Sequence, residues 1–163
     1  MSGTKLYMNL DEGLQQVDVW KKQKNTIIFT NGCFDIFHAG HAMYLEEAKQ
    51  LGQRLVVGIN TDESVKKLKG EHRPILTLND RASVLCALQA VDMVIPFAED
   101  TPIELIRSLM PDVLVKGGDY NIEQMIGKDL VEKTGGEVKI LSFKNDISTS
   151  TIIKRIQQSH HED

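Results

Sequence analysis

Residues 26–41 read TIIFTNGCFDIFHAGH, and the fold follows from how that stretch is parsed. Residues 26–30 are short, apolar and rich in β-branched side chains, as a strand buried on both faces requires. Asn31-Gly32 ends it. From about Gly40 the apolar positions Met43, Leu45, Ala48 and Leu51 follow helical spacing, with Gly52 just beyond the last of them. The turn between strand and helix carries Asp35, His38, Gly40 and His41.

The same alternation extends outward. Upstream, residues 10–23 set Leu10, Leu14, Val17 and Trp20 at helical spacing and end in basic residues, which predicts an amphipathic helix. Downstream, 54–59 (RLVVGI), 92–97 (DMVIPF), 112–116 (DVLVK) and 137–142 (EVKILS) read as four further strands. Helices are expected after Thr61-Asp62-Glu63-Ser64, and from an N-cap at Asp80 through Ala82, Leu85, Leu88 and Ala90. Others are expected from Thr101-Pro102, over about 122–133 before Gly135-Gly136, and over 148–158. Residues 69–79 form a mixed loop. Strands alternating with helices predict an α/β chain. The expectation is a single Rossmann-like domain over residues 1–163, with a five-stranded parallel sheet and helices on both faces. Its parts would be the helix 10–23, a core at 24–157 and a polar tail at 158–163. Ligands of such sheets sit beyond the carboxyl ends of the strands, where the strand order reverses.

Composition narrows the function classes. Hydrophobic residues at 41% supply a core, and 26% charged residues argue against disorder. A net charge of -4 argues against a sequence-independent nucleic-acid binder. The two cysteines, Cys33 and Cys86, form no CxxC pair, which excludes a disulfide framework and a structural zinc site and points to a reducing cytoplasm. No apolar run follows a basic start and none reaches membrane length, so neither signal peptide nor membrane span is expected.

Chemistry concentrates after the first strand. His38 and His41 lie three apart around Gly40, a spacing that puts two helical residues on one face. Gly40 would let a bound group approach the backbone, and a helix start offers free N–H donors to phosphate. A metal site needs more ligands than this segment supplies, so no metal ligand is assigned. Residues 147–151, ISTST, stand at another helix start and suit either phosphate binding or an ordinary N-cap. Lys69 and Arg73 lie in a Gly- and Pro-bearing loop, which suits a mobile lid that brings cations over phosphates. Arg81, near a helix start that disfavours a cation, is explained if it binds an anion. Lys116-Gly117-Gly118-Asp119 follows the fourth strand, where glycines permit close approach of a base or sugar and Asp119 can accept from hydroxyls. A plain strand-to-helix turn fits that segment equally well. Neither GxxxxGK[ST] nor GxGxxG occurs, which removes the P-loop and the dinucleotide fingerprint.

Residues 32–41, GCFDIFHAGH, resemble the GxFDxxHxGH signature of the cytidylyltransferase-like nucleotidyltransferases. The resemblance implies that His38 and His41 contact the triphosphate and stabilise a pentacoordinate transition state. ISTST is similar to the family's ISSTxxR-type segment, but the Arg three residues after its Thr is unmatched, which leaves Lys154 or Arg155 as candidates. KGEHRP (69–74), Asp80-Arg81, Ala90-Val91-Asp92, FAEDTP (97–102) and VKGGDY (115–120) resemble the adenylyltransferase domain of bacterial heptose-phosphate enzymes. This similarity runs from about 24 to 157. Many bacteria fuse that domain behind a sugar kinase, and with no kinase-sized segment ahead of it the stand-alone form is expected here.

The implied activity is transfer of AMP from ATP to D-glycero-β-D-manno-heptose 1-phosphate, for lipopolysaccharide synthesis. Rival readings are cytidylyl transfer to glycerol 3-phosphate or another small phosphate, a non-catalytic nucleotide-binding module, and a phosphate-binding subunit of a larger assembly. The implied catalytic residues are His38, His41 and Lys69. The implied nucleotide site is Asn31, Gly32, Cys33, Phe34, Asp35, Gly40, His41, Arg81, Lys116, Gly117, Asp119, Ser148, Thr149 and Ser150. The implied acceptor site is Asp35, Lys69, Arg73 and Gly118. Mg²⁺ carried by ATP, a homodimer or higher homo-oligomer and a cytoplasmic location complete the expectation.

Overall fold

The computed structural model describes residues 4–118, 121–142 and 147–159. The elements are α1 (Leu10–Lys22), β1 (Ile27–Gly32), α2 (Ala39–Lys49), β2 (Arg54–Asn60), α3 (Asp62–Lys69), α4 (Leu78–Ala87), β3 (Met93–Phe97), α5 (Ile103–Leu109), β4 (Val113–Gly117), α6 (Lys128–Lys133), β5 (Glu137–Leu141) and α7 (Thr149–Ser159). A 3-10 turn at Ile122–Gln124 precedes α6. All strand pairs are parallel and their order is β3-β2-β1-β4-β5.

Alternation along the strands splits the core into two layers. Ile27 and Phe29 pack with Val17 and Trp20 of α1, Leu105 and Ile106 of α5 and Val131 of α6. Ile28 packs on the opposite face with Leu45 and Ala48 of α2 and Leu85 of α4. The five-stranded parallel sheet therefore carries helices on both faces, as the alternation predicts.

The strand order sets the position of the site. The chain runs β1 to β2 to β3 in one direction, then returns so that β4 lies on the free side of β1. β1 and β2 stay in register up to Gly32 opposite Ile59. β1 and β4, however, pair only at Ile28 with Val113 and at Phe29 with Leu114. β4 meanwhile follows β5 to Gly117 opposite Leu141. Past Phe29 the sheet therefore opens between β1 and β4, at the reversal of strand order.

Several boundaries differ from the sequence reading. Asn31 and Gly32 continue β1 because Gly58 and Ile59 of β2 still run alongside. α3 extends to Lys69, so that residue ends a helix instead of sitting in a loop. α4 is capped by Thr77, not Asp80. The Thr77 hydroxyl accepts from the Asp80 N–H and donates to its carboxylate. α4 ends at Ala87, which leaves Leu88 and Ala90 outside it. Pro102 occupies the cap position of α5, in place of Thr101. The single helix expected over 122–133 is broken by Gly127, whose φ of 90° no helix tolerates. In α2 the buried position belongs to Tyr44, whose hydroxyl bonds Thr30 at 2.6 Å, while Met43 is exposed.

Candidate active site

The connection from β1 to α2 is held in an unusual shape. Phe34 and Ile36 have φ of 49° and 48°, left-handed values that side-chain-bearing residues adopt only when their surroundings enforce them. Between them Asp35 turns inward. Its carboxylate accepts from Arg73 Nε at 2.7 Å, from the Ile75 N–H at 2.8 Å and from the Leu76 N–H at 3.0 Å. Burial pushes this carboxyl upward, but the Ile75 and Leu76 N–H groups and the Arg73 guanidinium outweigh it and hold it below its ordinary value. Asp35 therefore clasps the 73–76 segment, and its backbone carbonyl accepts from the Thr149 hydroxyl at 2.6 Å.

His38 takes the extended cap position of α2, and its side chain makes no capping bond. Its ring stacks on that of His41, with centroids 3.8 Å apart and planes at 22°. Gly40 makes the stack possible, since a Cβ there would lie 3.0 Å from the His38 ring. The clearance that Gly40 provides thus serves a side chain of the site. His41 also meets the Phe34 ring edge-on at 5.3 Å and the Phe37 ring at 5.4 Å. Burial, and then the neighbouring His38, lower the His41 pKa to about 4; burial lowers His38 as well. Both imidazoles are therefore biased to the neutral form. Their Nδ1 atoms are buried without a hydrogen-bond partner among the described residues, and so is Oδ1 of Asn31. Each such atom costs about 1–3 kcal/mol when left unpaired.

These residues line one cleft of about 800 Å³ at the open ends of β1, β2 and β4. Of the residues expected there, Asn31, Gly32, Cys33, Phe34, Asp35, His38, His41, Lys69, Arg73, Lys116, Gly117, Gly118, Ser148, Thr149 and Ser150 are brought together. Gly40 sits behind the histidine stack, and Asp119 lies outside the described residues. Ser148 caps α7, accepting from the Thr151 N–H at 3.1 Å, while still facing the cleft. Lys154 and Arg155 are exposed on α7 and do not line it. Lys116 donates to the Asn31 carbonyl at 3.4 Å, and withdrawal from water lowers its pKa to about 8. Burial pushes the Cys33 thiol up, which makes it a poor nucleophile.

Arg81 requires a correction: it is not a wall of the cleft. Its side chain is 0% exposed. It donates to the carbonyls of Leu76 (3.1 Å), Cys33 (2.6 Å) and Asn60 (2.9 Å) and to the Asp62 carboxylate (2.7 Å). The helix-dipole argument anticipated an anion, and Asp62 is one, but it belongs to the chain. Sequence reasoning missed Asn60, Leu68 and Ile147 as lining residues. Asn60 could have been found, since it ends the second strand on the side where ligand loops gather. Among the described residues, no group of three or more His, Cys, Asp or Glu side chains is arranged to hold a metal ion.

Residues 29–155 match the family described as Cytidylyltransferase-like. The chain belongs to the cytidylyltransferase-like family of nucleotidyltransferases. This cytidylyltransferase-like chain is 55% identical over 149 residues to the bifunctional protein HldE of Actinobacillus pleuropneumoniae, covering 91% of itself and 31% of that relative. It is 53% identical over 142 residues to bifunctional protein HldE of Magnetococcus marinus, covering 87% and 29%. The chain thus spans about 31% of the length of the first of these relatives and 29% of the second. Among solved structures it resembles the lipopolysaccharide core biosynthesis protein of Thermoplasma volcanium, with TM-score 0.59, 30% identity and coverage of 76% and 99%. It shares its fold with pantoate-beta-alanine ligase of Francisella tularensis, solved with beta-gamma ATP and beta-alanine (TM-score 0.65, 15% identity, coverage 88% and 69%). No described helix is long and apolar enough to cross a membrane.

Proposed function

We propose that this domain transfers the adenylyl group of ATP to D-glycero-β-D-manno-heptose 1-phosphate, giving ADP-heptose and pyrophosphate. The observation that carries this reading is the stacked His38–His41 pair, neutral and with unpaired nitrogens, at the sheet opening beside cationic side chains. The choice of acceptor rests on the HldE relatives and on the 69–74 and 115–120 segments.

In the proposed step an oxygen of the sugar phosphate attacks the α-phosphorus of ATP. The new O–P bond forms in line with the P–O bond to the β-phosphate, which breaks and leaves as pyrophosphate. A phosphate monoester is already anionic near neutral pH, so no general base is required. Rate enhancement then comes from positioning and charge stabilisation. Neutral imidazoles donate N–H bonds to phosphoryl oxygens without fixing a charge in the free site, and an arriving triphosphate raises their pKa. Lys69, at the exposed end of α3, and Arg73, which spends only Nε on Asp35 among the described residues, bring cations from one edge. The starts of α2 and α7 add backbone N–H donors. Asp35, the one acidic group among the described lining residues, is committed to the chain, and Mg²⁺ would travel on the triphosphate, where it would supply charge neutralisation. Family resemblance supports a homo-oligomer, and the free thiols Cys33 and Cys86 suit a reducing, cytoplasmic setting.

The test is pyrophosphate release with Mg²⁺, comparing ATP with CTP and heptose 1-phosphate with glycerol 3-phosphate. Release confined to ATP with the heptose phosphate is expected. Release with CTP and glycerol phosphate would keep the step and overturn the substrates. ATP binding without release under any pairing would leave a non-catalytic module.

A further inference from the structure

Among the described residues three cations line the cleft, and they are held differently. Lys69 is exposed, and Arg73 has the Asp35 carboxylate. Lys116 is half-buried on β4, with a single long bond to the Asn31 carbonyl and no carboxylate partner among the described residues. An ammonium withdrawn from water without an anion is kept against a desolvation cost. Across from it, the side-chain carbonyl of Asn31 is buried without a partner among the described residues. Sheet register accounts for the meeting. β1 and β4 last pair at Phe29 with Leu114, and two residues further on the same register sets Asn31 opposite Lys116, where the strands have parted. Among the described residues, a cation without a carboxylate and an acceptor without a donor thus face one opening at the end of the sheet.

We propose that Lys116 and Asn31 form a two-point subsite for the phosphate-bearing end of a sugar phosphate, with Lys116 taking a phosphate oxygen and Asn31 accepting from an adjacent hydroxyl. The inference rests on the transferase reading and narrows it, because that chemistry comes either from the ribose phosphate of the nucleotide or from the acceptor. Lys116 is then a fixed anchor in the sheet, whereas Lys69 and Arg73 approach from a surface connection.

The test uses Lys116→Met, which keeps length and removes charge, and Asn31→Leu, which removes the acceptor. Calorimetry measures binding of α,β-methylene-ATP, and of heptose 1-phosphate in the presence of that analogue. The subsite predicts that both variants weaken the same ligand by about tenfold or more. It also predicts that the Tm of Lys116→Met is unchanged or higher, which a merely structural lysine would not give. The ligand that weakens identifies the source of the phosphate. Wild-type affinity for both ligands in Lys116→Met would overturn the subsite. So would a Tm drop of several degrees with both affinities lost in step. Wild-type turnover is measured in parallel: its absence would count against the transferase reading, while selective loss of binding in the variants would still support the subsite.

Discussion

Two buried polar regions lie within a few residues of each other and are built on opposite rules. Beneath the cleft Arg81, and in its wall Asp35, are fully engaged: Arg81 ties Cys33, Asn60, Leu76 and Asp62 together, and Asp35 holds Arg73, Ile75 and Leu76. In the wall above, and among the described residues, Asn31, His38 and His41 keep buried atoms unpaired and Lys116 has only a carbonyl. A satisfied buried network stabilises the chain and specifies its shape. Polar atoms buried without partners lower stability, and a protein that retains them has them poised for something it binds. The first region is the frame of the loops, and the second is the surface proposed to meet substrate. Substitutions should therefore separate cleanly, with stability lost from one region and activity from the other.

The largest effect is expected from Arg81→Ala. It leaves three carbonyls without their donor and the partly exposed Asp62 carboxylate without its partner, a loss of about 2–4 kcal/mol for several hydrogen bonds. Thermal denaturation would show a Tm lower by roughly 2–4 °C per kcal/mol, and a Tm within about 2 °C of wild type would remove the distinction between the regions. His41→Ala should do the reverse, lowering kcat by about 10²–10³ as for one lost transition-state donor, with Tm nearly unchanged. Near-normal turnover in that variant would refute a transfer role for the histidine pair.

Asp35→Asn tests the boundary between the regions. Freeing the 73–76 segment should cost about 1–3 kcal/mol and raise KM for the acceptor more than it lowers kcat. An unchanged KM would show that the clasp does not position Arg73. The last test is the pH dependence of stability. His41 binds its proton near 6.5 when unfolded and near 4 when folded. Between those values the unfolded chain holds more protons, so Tm should fall as pH drops from about 6.5 toward 4. His41→Phe should flatten that slope; an equal slope in both proteins would assign it to other groups.

Much of this was legible in one dimension. Four buried strands, a fifth less buried, and the HAGH spacing are set by periodicity and by neighbours a few residues away, so the sequence by itself determined the α/β class and the parallel sheet, while the family resemblance pointed to most lining residues. Helix boundaries were less secure where one residue type serves two ends: Asp80 reads as a cap until Thr77 is seen to bond it. The side-chain hydrogen-bond partners of Arg81, Asp35 and Lys116 lie 19 to 85 residues away in sequence, apart from Arg81's bond to Leu76. They are chosen by the strand order β3-β2-β1-β4-β5, which no local pattern encodes. That order decided that Arg81 supports the site from below, that Asp35 clasps a loop, and that Lys116 meets Asn31 across an open crevice. Tertiary structure had the last word there because a charged side chain takes whichever counter-charge the fold brings within hydrogen-bond reach.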